Sequence, residues 1–244
     1  MLAPVFIVLA HAFKTLQKAS NIFVLIAIGA VIFQFVDLSA KRLQQTQVAQ
    51  HATLNVIHKM FPDPVAYIDR CSMASFFQKV GIFMSSWGME NYRDAGTPIM
   101  RDILKKSQPN FLLANVFDLD VSASNFLAPD GSGTRLMPED ALTLKQNFIH
   151  HWGVIHVPGK EFLALPNMQE TVFEILVEGM YTVESNHRVY LGNTAHGPGD
   201  SVFLEQGQHS LRATTDGQTI RLRWGKQLYK PETTAPSSPV FYDF

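Results

Sequence analysis

Cysteine is nearly missing from this chain. Cys71 is the only one in 244 residues, which excludes an intrachain disulfide and a cysteine-built zinc site. Charge is scarce and balanced: Lys and Arg number 20, Asp and Glu 21, and charged residues make up 17% of the chain. A nucleic-acid partner would want a basic patch, so none is expected. The low charge fits a membrane-associated chain better than a highly soluble one. There is no Asn-x-Ser/Thr glycosylation signal. Strong catalytic signatures are also lacking. Ser72 has no Gly-x-Ser-x-Gly context, and Gly131-Ser132-Gly133 is no phosphate loop, since no strand feeds it and no Lys follows.

What the chain does have is one long apolar run, Ile22 to Val36, with Gln34 as its single polar side chain. With its flanks snorkelling, it is expected to cross a ~30 Å hydrocarbon layer. Leu2–Phe13 is apolar too, and Lys14 and Lys18 lie between the runs. One reading is a helical hairpin with a cytoplasmic Lys14/Lys18 loop. The other is a long signal sequence with a poor cleavage site at Leu38-Ser39-Ala40. Both export the rest of the chain, and the hairpin is preferred.

Asp37–Met60 has no Gly or Pro and reads as a helix, with Leu43, Val48, Leu54 and Ile57 along one face. Phe61-Pro62-Asp63-Pro64 ends it. Val65–Ile68 is expected as a buried strand and Phe76–Gly88 as an irregular aromatic segment. A helix then begins at Pro98, with Ile99, Ile103 and Leu104 inward. Phe111–Val116 is a continuous apolar run, as for a strand covered on both faces. A loop over Ser122–Pro138, centred on Pro129–Gly133, leads to a helix from Pro138 to about His150. Val154, His156 and Phe162–Leu165 read as extended pieces around a Pro158-Gly159 turn. From Thr171 the pattern alternates with period two, and Asp216-Gly217 signals a hairpin. Five or six strands are expected up to Leu228. Beyond them lies a Pro/Ser/Thr-rich tail whose Phe241, Tyr242 and Phe244 dock back on the domain.

Several clusters are candidates for chemistry. Glu90, Arg93 and Asp94 stand together, and two carboxylates four residues apart suit acid and base roles. The plainer reading, which is preferred, is a charge-balanced segment. Trp87, Tyr92 and Trp152 offer flat apolar faces for a sugar ring, with Glu90, Arg93 and His151 to bond its hydroxyls. The competing reading makes all three aromatics core. The cluster His150, His151 and His156 is a poor metal site, because adjacent histidines do not readily share one ion. Asp118 and Asp120 end a buried strand, where α/β sites sit, yet such pairs commonly have no such role. The candidate binding residues are therefore Trp87, Glu90, Tyr92, Arg93, Asp94, His151 and Trp152, and no catalytic residue is assigned.

The order of parts adds a likeness. An apolar helix closing at Val36 leads to the Gln-rich stretch LQQTQVAQHATLNVI. The strand AYID, an aromatic segment and ENYRDAGTPIMRDILKKSQPNFLLANV follow. This resembles the extracytoplasmic C-terminal region of polytopic bacterial glycosyltransferases of the lipid-linked-sugar type, similar to protein mannosyltransferases and aminoarabinose transferases. It covers Ile22 to about Gly159. In that family a Gln-containing helix after the last membrane span precedes a strand such as Val65–Asp69. A helix and a strand opened by proline follow, here Pro109–Leu113. The family's catalytic acids lie in a loop after its first membrane span, which has no counterpart here. The resemblance thus implies a C-terminal piece, or a stand-alone relative, without the active site.

The expected class is α+β. It comprises an N-terminal membrane helix or hairpin over 1–37, an extracytoplasmic α/β layer over 38–165, an antiparallel β-sandwich over 170–228 and an irregular tail over 229–244. The expected role is a membrane-anchored extracytoplasmic domain related to a glycosyltransferase tail, acting in cell-surface glycan assembly at the bacterial inner membrane. The alternative is a non-catalytic carbohydrate- or partner-binding scaffold, and a hydrolase using Glu90 and Asp94 is a third reading. Expected partners are the lipid bilayer, a glycan or lipid-linked sugar, and a polytopic membrane protein. No cofactor or metal is expected.

Overall fold

The computed structural model describes residues 21–44, 48–128, 133–236 and 240. The chain divides into two compact units, Met1–Gln47 and Val48–Phe244. In the first, helix α1 spans Asn21–Gln44. Phe23, Leu25, Phe33 and Phe35 expose most of their surface. The uncharged stretch Ile22–Val36 is about 15 residues, ~22 Å at the helical rise, short of a ~30 Å hydrocarbon core. Asp37, Lys41 and Arg42 follow within the same helix. Among the described residues no helix is long and apolar enough to cross a membrane. The spanning helix expected at Ile22–Val36 is therefore not supported, and the other arm of the hairpin, Leu2–Phe13, lies outside the described residues.

The second unit opens with helix α2, Val48–Met60. Of the helix expected over Asp37–Met60, the part up to Gln44 belongs to α1 and the part from Val48 is α2; residues 45–47 lie outside the described residues. Ala49, Thr53, Val56, Ile57 and Met60 are buried, an i, i+4, i+7, i+8, i+11 stripe. Val48, expected inward, is exposed, because small Ala49 and Thr53 take the close-packed face. The Thr53 hydroxyl is satisfied by the Ala49 carbonyl at 2.8 Å.

Three short strands form the parallel part of the sheet: β1 (Ala66–Ile68), β2 (Gln78–Val80) and β3 (Phe111–Leu113), in the order β2-β1-β3. Strand β2 lies in the aromatic segment that reads as irregular. Side chains alternate between two cores. Ile68 and Leu112 face one that also holds helices α3 (Ser86–Ala95), α4 (Met100–Ser107) and α5 (Pro138–Asn147). Tyr67, Phe111 and Leu113 face the other, under α2 and Val240. Helix α4 lacks an N-terminal side-chain cap of its own. Instead the buried Asp140 carboxylate of α5 accepts the Ile99 and Met100 N–H groups, at 2.9 and 2.8 Å.

Helix α5 stops at Asn147, three residues before the expected end. Phe148–Trp152 instead form strand β4, pairing with β5 (Ile155–Leu165) through Phe148–Pro158 and Ile149–Val157. The Pro158-Gly159 turn is not formed. Both residues lie inside β5, an unbroken strand of 11 residues. At Gly159 a Cβ would meet Ile149 Cδ1 at 2.6 Å and the Leu222 carbonyl at 2.7 Å, so glycine is needed for a close approach rather than a turn.

Strand β5 joins the two halves of the unit. Its first part pairs with β3 and β4, and its second with β12 (Gln218–Trp224). One eight-stranded sheet results, ordered β10-β7-β12-β5-β3-β1-β2 with β4 also on β5; β7 is Gly179–Glu184 and β10 is Ser201–Leu204. A four-stranded sheet, β6-β11-β8-β9, faces its β5–β10 end across a third core. These strands are Glu170–Ile175 (β6), Val189–Leu191 (β8), Thr194–His196 (β9) and Gly207–Ala213 (β11). The fold is α+β, rich in strand, with one mixed and one antiparallel sheet. Asp216-Gly217 does not close a hairpin. It links β11 in one sheet to β12 in the other, since β11 pairs with β6 and β8. Gly192-Asn193 does close one, between β8 and β9.

Candidate functional site

His156, Pro158, Lys160 and Phe162 share one face of β5 by the period of two. Helix α5 covers the start of this face. The sandwich covers its end, where Phe162 meets Phe173 of β6 edge-on at 5.2 Å. Between the two covers a cleft of about 790 Å³ remains. Lys160 lies on its wall, mostly buried, and donates to Asn147 Oδ1 at 2.8 Å. Asn147 is oriented in turn by its own Nδ2, which donates to the Thr143 carbonyl at 2.7 Å.

The other charges of the cleft are largely satisfied. Arg101 of α4 reaches across to Glu174 of β6 at 2.6 Å, and Lys105 joins Glu174 at 3.3 Å. Arg221 pairs with Glu161, and the Lys145 ammonium binds the Val121 carbonyl. Among the described residues, Lys160 has no carboxylate partner within salt-bridge distance. Burial lowers its pKa to about 8, the Glu174 charge opposing and the Arg101 charge adding to the shift. His156 is fully buried, and its Nε2 makes no hydrogen bond. Desolvation lowers its pKa to about 4, so it is neutral at pH 7. Leu163 and Val172, both exposed, form an apolar lip.

The residues singled out by sequence do not meet in one place. Trp87, Glu90, Arg93 and Asp94 lie on the exposed part of α3, and Trp87 is 74% exposed. The Arg93 guanidinium bonds the Arg135 carbonyl at 3.3 Å. Tyr92 points into the α3–α5 core. Trp152 packs in the core on the opposite face of the sheet, and its Nε1 donates to the Thr233 carbonyl at 2.9 Å. His151 beside it is buried. Its Nδ1 lies 3.2 Å from Arg223 Nη1 and its Nε2 3.0 Å from the Tyr229 carbonyl. Arg223 can only donate and a carbonyl only accept, so the neutral ring carries its proton on Nε2. Burial lowers the His151 pKa to about 4. His151 and Trp152 therefore hold the segment after Leu228 against β4. The aromatic end expected to dock, Phe241, Tyr242 and Phe244, lies outside the described residues.

Asp118 is fully buried and held by Arg135, and Asp120 accepts from Ser122 within its own turn. Among the described residues, no three His, Cys, Asp or Glu side chains gather as a metal site. Sequence reading missed Lys160, Asn147, Arg101 and Glu174. The available signal was the spacing of His156 and Lys160, two polar groups at inward, same-face positions of one strand.

No family model, no curated protein and no solved structure matches the chain. Nothing in these comparisons identifies it as a glycosyltransferase tail.

Proposed function

We propose that the chain is a non-catalytic binding module that holds a hydroxyl-rich small molecule, of glycan type, in the β5 cleft. The observation that carries this is Lys160: a mostly buried ammonium whose hydrogen-bond partner is a side-chain amide oxygen, in a cleft with an apolar lip. An apolar wall with a few placed polar groups is what small-ligand sites share. Ser122, Thr143, Gln146 and Gln208 add further hydrogen-bonding groups around it. The test is titration calorimetry of the protein against a panel of neutral and acidic oligosaccharides. Saturable binding that competes at one site is expected, and no binding by any member overturns the reading.

The module works at a lipid surface, in cell-surface glycan assembly. Support comes from α1, whose described apolar side chains from Phe23 to Val36 are exposed. Such a helix lies in, or dips into, a bilayer on its own or beside a polytopic membrane partner. Co-sedimentation with phospholipid vesicles is expected, and Phe33→Asp with Phe35→Asp releases the protein. Equal sedimentation of this variant counts against α1 as the contact.

A second reading, kinship with a glycosyltransferase tail, is favoured by the order of its N-terminal parts: an apolar helix, the Gln-rich stretch LQQTQVAQ and the strand at Ala66–Ile68. Sugar transfer from a lipid-linked donor by the chain alone would establish catalysis in place of binding.

A further inference from the structure

We propose that the cleft ligand carries a carboxylate, and that this carboxylate docks on Lys160; the ligand class is an acidic, uronic-acid-type saccharide. This rests on the reading of the cleft as the ligand site. The argument starts from the charges that line it. The cations are Arg101, Lys145, Lys160 and Arg221, and the carboxylates are Glu161 and Glu174. Both acids are already engaged, Glu174 by Arg101 and Lys105, and Glu161 by Arg221. A cationic ligand would find no free carboxylate there. The excess charge is positive.

Of the two remaining ammonium groups, Lys145 is tied to the Val121 carbonyl and Lys160 to Asn147 Oδ1. An ammonium has three donors. The hydrogen bond to Asn147 uses one, and Asn147 cannot turn toward another partner without giving up its bond to the Thr143 carbonyl. Lys160 is thus pre-aimed, with donors to spare. A buried ammonium without a counter-ion is costly to the fold. The depressed Lys160 pKa is the sign of that cost, and a bound anion would relieve it. A carboxylate on a sugar ring meets both needs: its charge matches Lys160, and its ring presents C–H faces to Leu163 and Val172 and hydroxyls to the amide and hydroxyl side chains.

The experiment compares trigalacturonate with its trimethyl ester, by calorimetry on the full chain at pH 7. The two share every ring hydroxyl and differ in charge. Tighter binding of the acid, by at least tenfold, is expected. Equal affinity overturns the carboxylate assignment and leaves the cleft reading intact, whereas binding by neither overturns both. Lys160→Met is expected to bring the affinity for the acid down to that for the ester, while raising the melting temperature. A lysine with a purely structural role would give the opposite thermal shift. Unchanged acid affinity in a folded Lys160→Met variant moves the carboxylate away from Lys160 and overturns the inference. If Lys160→Met does not fold, Lys160→Gln takes its place, and an unchanged acid-to-ester affinity ratio in that variant overturns docking on Lys160.

Discussion

The Tyr92 hydroxyl donates to Asp140 Oδ2 at 2.6 Å and accepts from the Met137 N–H at 2.9 Å, 48 residues of chain separating the tyrosine from the aspartate. The same carboxylate caps α4 through Ile99 and Met100. One buried acid therefore ties three helices together. Tyr92→Phe leaves Asp140 and the Met137 N–H each short of a partner, and a loss of about 1–3 kcal/mol is expected in denaturant unfolding. A change below about 0.5 kcal/mol would mean that water replaces the hydroxyl there.

The three aromatics grouped as a sugar surface separate by burial. Trp87→Ala is expected to change stability by less than about 0.5 kcal/mol, as a substitution on an exposed helix face. Trp152→Ala empties a core site and frees the segment at Thr233, and about 3–5 kcal/mol is expected. Urea titration of both variants checks the contrast. If Trp87→Ala weakens glycan binding without changing stability, the α3 surface is a second contact.

Acid sensitivity follows from His151 and His156. Both have folded pKa values near 4, below the unfolded value near 6.5. The unfolded chain therefore binds more protons between these values, and stability rises with pH across that window. The contribution is complete above about pH 6.5 and is lost as pH falls toward 4. His156→Gln is expected to flatten this slope, measured as melting temperature against pH. An unchanged slope in that variant and in His151→Gln would show that other groups set it.

The sandwich draws on a strand from before its own sequence. Strand β12 pairs with β5 from Gly159 to Leu165. A fragment beginning near Leu165 lacks that partner and exposes the edge of β12, whose Ile220 and Leu222 are core. Loss of cooperative unfolding is expected for it by circular dichroism. A sharp transition would show that β6–β12 are self-sufficient.

Much of the local structure was legible in sequence because its causes are local. Pro138 at a first helical turn, the period-two run at Phe173 and Ile175 and the apolar Phe111–Leu113 strand depend on neighbours a few residues away. So did the α+β class, which follows from helix signals before residue 150 and alternation after 170. Errors arose wherever a distant partner decided. Pro158-Gly159 carries the chemistry of a turn, yet pairing on both sides holds it in a strand, and glycine answers the approach of Ile149 and Leu222. Asp216-Gly217 has hairpin chemistry, but the partners of β11 and β12 lie in different sheets. Phe148–Trp152 continue a helical stretch in sequence, and their pairing with β5 makes them strand. The candidate site is of this second kind. Lys160 and Asn147 come from adjoining elements, but Arg101 and Glu174 are 73 residues apart in sequence. Only the folding of the sheet along β5 leaves a cleft between α5 and the sandwich, and only burial in that cleft turns an ordinary lysine into a desolvated cation. Local sequence sets backbone preference, whereas desolvation depends on everything packed around the group, and that is decided in three dimensions.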